Sequence, residues 1–200
     1  MRLRPALMWL LLAGALMVPL GVALTSPWLA YRSGIYIAAG VAGVVALWLL
    51  LVQPALVGGQ LPVDPRAARV WHRRVGALLI TLVVLHIAGL WITSPPDVID
   101  VLLFRSPTPF SLWGALAMWA IFAAGALALV RRRLRPRSWR LAHSGLALSI
   151  ALFSILHAVL IEGTMGAVTK ALLCVLILAA LARAFAERKV WRLLKPRERV

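Results

Sequence analysis

The sequence predicts an all-α integral membrane protein, a bundle of six transmembrane helices. Three observations lead there. Of its 200 residues, 62% are hydrophobic and only 14% charged, which is too apolar for a water-soluble domain of that length. Apolar stretches recur along most of the chain, each with the ~18 or more residues a helix needs to cross a hydrocarbon core of about 30 Å. The 22 Lys and Arg lie between and after these stretches, and with six acidic residues they give a net charge of +16.

Taken in order, the apolar runs place spans near 6–24, 34–57, 74–92, 110–130, 143–161 and 167–186. The first is too long for the apolar core of a secretory signal and suits a membrane span. It ends at Thr25-Ser26-Pro27, and the second ends at Gly58-Gly59. Ser94-Pro95-Pro96-Asp97 closes the third, Arg135-Pro136-Arg137 separates the fourth from the fifth, and Glu162-Gly163-Thr164 separates the fifth from the sixth. Residues 1–200 read as a single transmembrane domain, with no Gly-x-Gly-x-x-Gly fingerprint and no soluble flavin or nicotinamide domain. No repeat or low-complexity tract is evident.

Counted by alternating side, nineteen Lys and Arg fall on one side and only Arg32, Arg105 and Lys170 on the other. The positive-inside rule then puts both termini in the cytoplasm. It also accounts for the charge better than nucleic acid does, since no reading module accompanies it. Trp28, Trp71, Trp91, Trp139 and Trp191 fall near span ends, as aromatic residues at headgroup level do. The single cysteine, Cys174, has no internal disulfide partner and reads as a small packing residue.

The four histidines point to chemistry. His72 and His86 belong to the third span, His143 and His157 to the fifth, and each pair is fourteen residues apart. Fourteen helical residues rise about 21 Å and return to within about 40° of the starting direction, so each pair occupies one helix face. The third and fifth spans run in the same direction. His72 therefore meets His143 near the cytoplasmic side, and His86 meets His157 nearer the outside.

Two imidazoles on facing helices can ligate both axial positions of a heme iron, and a bundle core suits such a site. Two levels give two hemes, with His72 and His143 on the inner iron and His86 and His157 on the outer. Simple interhelical hydrogen bonding and a proton relay are the competing readings. One zinc or copper ion fits less well, because its ligands must converge and these separate into two levels about 21 Å apart. Without Cys-x-x-Cys-His the heme would be b-type. Gly76, Gly89, Ala147 and Ser154 share the histidine faces, where small side chains either clear a macrocycle or allow close helix packing. Arg73, Arg74, Arg137 and Arg140 flank the inner histidines and are candidates for heme propionates, although positive-inside flanks carry arginine in any case.

The segments Trp71-His72-Arg73-Arg74-Val75-Gly76 through Leu85-His86, and Trp139-Arg140-Leu141-Ala142-His143 through Leu156-His157, resemble the ferric reductase-like transmembrane domain. That family includes the heme-bearing membrane part of NADPH oxidases, ferric reductases and the heme subunit of the periplasmic methionine sulfoxide reductase system. The run SPTPFSLWG, from Ser106 to Gly114, is similar to the connection into its fourth helix. The resemblance covers roughly residues 35 to 190 and implies two stacked hemes held by the third and fifth of six helices. Many relatives carry the second spacing one residue shorter, a difference of about 100° on an ideal helix.

The expected function is that of a heme b electron-transfer subunit, the electron-transfer component of an oxidoreductase. Electrons would come from a cytoplasmic or membrane donor, such as a flavin reductase, a quinol, or a flavin on a partner or loosely bound. An external acceptor would take them, a periplasmic oxidoreductase being one candidate. The expected location is a bacterial inner membrane in contact with lipid. Two alternatives stand beside this: a stand-alone reductase of ferric chelates or oxygen at the outer heme, and a heme-free membrane scaffold or transporter.

Overall fold

The structure is a computed structural model that describes residues 3–193. The basic residues Arg2, Lys195, Arg197 and Arg199, which enter the charge asymmetry, lie outside the described residues. Among the described residues seven α-helices follow one another: α1 (Leu3–Leu24), α2 (Gly34–Val57), α3 (Pro65–Thr93), α4 (Pro95–Leu102), α5 (Pro109–Leu129), α6 (Pro136–Leu160) and α7 (Ala167–Glu187). No strand occurs among the described residues. All but α4 are long and apolar enough to cross a membrane.

Local chemistry sets where the helices begin. Ser33 accepts from the Tyr36 amide at 3.2 Å to open α2. The Asp64 carboxylate accepts from the amides of Arg66 and Ala67 at 2.8 and 3.0 Å to open α3. Proline occupies the first turn of α3, α5 and α6, where its missing N–H has no partner to lose. The helices that carry the histidines outrun their apolar stretches. α3 begins at Pro65 and α6 at Pro136, whereas the apolar runs begin near residues 74 and 143. The 29 residues of α3 measure about 44 Å at 1.5 Å each, so its arginine-bearing first turns project beyond a 30 Å core. The Ser94–Asp97 break is itself partly helical: Ser94 Oγ bonds the Asp97 carboxylate as α4 starts.

The helices pack as two hairpins, α2 with α3 and α5 with α6, joined where α3 meets α5. α7 closes the ring by packing on both α2 and α6. α3 and α6 meet more sparsely than the helices within either hairpin, with His72 and His143 edge-to-face between them. α2 is apolar on all sides, as a helix surrounded by others should be, and half of its apolar window is buried. Leu173 and Ile177 of α7 are fully buried in the core. Polar ties hold the periphery. Trp48 donates to the Leu12 carbonyl of α1 at 3.0 Å, Gln60 to the Ala180 carbonyl at 2.8 Å, and Arg188 to the terminal Val57 carbonyl of α2 at 2.9 and 2.5 Å.

Large apolar side chains point outward along the spans, among them Leu10 (69% exposed), Leu11 (64%) and Val168 (71%). Water does not tolerate so much contiguous apolar surface on a monomer, whereas lipid does. The class defined by this architecture is compatible with an integral membrane protein in lipid contact.

Candidate functional site

His72 and His143 each stand seven residues after the proline that opens the helix, so α3 and α6 present them at matching positions. Their ring centroids are 6.1 Å apart with planes at 81°. Both Nδ1 atoms are buried without a hydrogen-bond partner. Trp139, one turn before His143, stacks on its ring at 4.9 Å and 15°. The Arg131 guanidinium lies over the Trp139 ring at 5.5 Å. Trp139 thus belongs to the site, a role its position near a span end does not reveal. On the other side, Gln53 of α2 donates to the main-chain carbonyl of His72 at 3.2 Å.

His86 and His157 are held differently. His86 Nδ1 lies 2.8 Å from the Ala39 carbonyl of α2, and His157 Nδ1 lies 2.8 Å from the Phe110 carbonyl of α5. A carbonyl can only accept, so Nδ1 donates in both rings. In the neutral imidazole that leaves the Nε2 lone pair, the arrangement a metal ligand needs. The Phe110 ring also meets His157 edge-on at 6.0 Å.

The two halves of the site are copies of one pattern. Ala39, Gly43, Pro65, His72 and His86 are followed 71 residues later by Phe110, Gly114, Pro136, His143 and His157. Trp48 and Trp119, and Arg69 and Arg140, keep the same offset without a gap. α2–α3 and α5–α6 thus share these positions at one offset, although no wider repeat is evident. Few positions carry the signal, and they are diluted by Ala, Leu and Val that any membrane helix shares. α6 is regular α-helix through both histidines, so the fourteen-residue spacing needs no local irregularity here.

Of the small residues on the histidine faces, Gly76 and Gly89 serve packing. A Cβ on Gly89 would come within 2.7 Å of Ala39 Cβ, and one on Gly76 within 3.0 Å of Gln53 Nε2. Both therefore let α2 approach α3. The flanking arginines turn along the surface. Arg73 is exposed, Arg74 lies over the Trp71 ring at 5.3 Å, and Arg140 reaches the Arg188 carbonyl at 3.4 Å. Cys174 is buried in α7. Among the described residues no three or more His, Cys, Asp or Glu gather into one cluster. The residues available to a metal-bearing cofactor are the histidine pairs.

Comparisons with family models, with curated proteins and with solved structures return no match.

Proposed function

We propose that this chain is the heme b-binding electron-transfer subunit of a membrane oxidoreductase of the ferric reductase-like kind, with two hemes between α3 and α6. The observation that carries the reading is the inner pair. A metal-bearing group between the two helices would be held by one imidazole from each. The His72 and His143 ring centroids stand 6.1 Å apart, one ring from α3 and one from α6, close enough for both to be held by one metal ion. Orphaned Nδ1 atoms at this level and a fixed Nδ1–H tautomer at the other fit the same reading.

In this assignment His72 and His143 hold the inner iron, and His86 and His157 the outer. The heme supplies one-electron chemistry, while the protein supplies ligands, orientation and an apolar surround. α2 and α5 orient the outer rings through main-chain carbonyls. α7, which packs on both α2 and α6, buries Leu173 and Ile177 in the core. The lack of a Cys-x-x-Cys-His sequence makes the attachment non-covalent. The donor works from the cytoplasm or the membrane, as a flavin reductase or a quinol would, and the acceptor sits on the outer face. Both termini are cytoplasmic, in a bacterial inner membrane. The test is a pyridine hemochrome assay on detergent-purified chain with protein quantitation. Two b-type hemes per chain with low-spin spectra are expected, and colourless protein from heme-replete cells that takes up no heme on reconstitution would end the proposal.

A further inference from the structure

We propose that Gly43 and Gly114 are positioning residues of the outer histidine pair. Each leaves the space through which a main-chain carbonyl four residues earlier takes the Nδ1–H of His86 or His157, so that Nε2 is the nitrogen presented to a metal. The purpose of this clamp rests on the metal-ligand reading of those histidines, but the clamp itself does not.

The argument begins with helix geometry. Inside an α-helix the carbonyl of residue i already accepts from the amide of i+4, and its second lone pair is free. Whether another group can reach that lone pair sideways depends on the side chain at i+4. Here the carbonyls belong to Ala39 and Phe110, and the residues four later are Gly43 and Gly114. A Cβ on Gly43 would lie 3.0 Å from His86 Nδ1 and 3.1 Å from its Cε1. A Cβ on Gly114 would lie 2.6 and 2.8 Å from the same atoms of His157. The missing methyl is the volume the imidazole fills.

Ordinary close packing of helices gives a different signature. At Gly89 the first atom met is a neighbouring alanine Cβ, followed by backbone. At Gly43 and Gly114 all three nearest atoms belong to the histidine ring. The device also occurs twice, on helices 71 residues apart in register, with the carbonyl 47 residues before the histidine in both cases. Gly40 on α2 and Gly145 on α6 lie in the same hairpins, and a Cβ there meets nothing within 4 Å. They serve as controls.

Two readouts separate the clamp from the heme. In full-length chain prepared without heme and labelled with 15N-histidine, the Nδ1–H tautomer of His86 and His157 should be visible by NMR. Gly114→Ala should remove the hydrogen-bonded Nδ1–H signal of His157 and leave that of His86. Gly43→Ala should do the reverse, and Gly40→Ala and Gly145→Ala should change neither. In the heme-loaded chain, Gly114→Ala should weaken outer-heme retention by about ten- to a hundredfold, the usual cost of losing a group that orients a metal ligand, and leave the inner heme in place. Should Gly114→Ala fail to fold, the milder contact at Gly43 makes Gly43→Ala the deciding variant. Unchanged Nδ1–H signals in the folded glycine variants would overturn the proposal. A wild-type chain that binds no heme would instead defeat the proposed function, while the tautomer signals would still decide the clamp.

Discussion

The outer and inner histidine levels share a spacing but not a means of support. At the outer level both rings are tied through Nδ1 to main-chain carbonyls of the partner helix in each hairpin, at 2.8 Å. At the inner level neither Nδ1 has a partner; the rings rest on each other, and that of His143 also on Trp139. A main-chain carbonyl cannot swing away, so α2 and α5 set the outer rings as soon as each hairpin forms. The inner rings depend on contact between the two hairpins. A hydrogen bond from the far nitrogen also raises the basicity of the ligating one. Equally spaced histidine pairs thus become unequal sites: one pre-organised by local folding, and one whose order comes from tertiary contact.

The strongest test of this division removes ligands. His72→Ala and His143→Ala should each abolish the inner low-spin heme, and His86→Ala and His157→Ala the outer. Same-level double variants should lose no more heme than the singles, as read by hemochrome content and reduced spectra. If His72→Ala and His86→Ala deplete one common heme, the levels are wrongly drawn.

Orientation is the next test, since it decides which level is inner. Reporters fused at Val200 and beside Asp97 should fall on opposite sides, with Val200 in the cytoplasm. The reverse pattern would exchange the two levels.

The difference in support predicts graded behaviour as well. Ferric iron gains more than ferrous iron from a more basic ligand, so the outer heme should titrate at the lower potential in a spectroelectrochemical experiment. The less constrained inner heme should transfer first to an apoprotein acceptor. Coincident potentials and equal transfer rates would show that the Nδ1 bonds do not distinguish the sites.

Smaller effects follow from single contacts. Trp139→Leu removes a stacked pair worth about 0.5–1.5 kcal/mol beyond its area, and should broaden the inner heme's electron paramagnetic resonance signal without touching the outer one. Gln53→Leu loses the bond to the His72 carbonyl but also removes Oε1, a buried acceptor with no partner. The two changes oppose each other, and the melting temperature should shift by the equivalent of no more than about 1 kcal/mol.

Six apolar helices and the placement of His72, His86, His143 and His157 on two of them were legible in the amino-acid sequence alone. Hydropathy reports the solvent each segment can tolerate, and a fourteen-residue interval reports a shared helix face; both are properties of one segment at a time. The shared 71-residue offset was also present there, in Gly43 and Gly114 as much as in the histidines, but too thinly to stand out from a background of Ala, Leu and Val. Only the tertiary structure decided which atoms hold the rings. Periodicity assigns His157 to a face of α6, yet it cannot say that the face meets the Phe110 carbonyl of α5 across a glycine, because that bond joins residues 47 apart. For the same reason Arg140, placed by sequence beside the inner pair, turns instead to the Arg188 carbonyl. A long, solvated side chain takes whichever acceptor the packed helices leave within reach, and that choice is made between helices rather than within one.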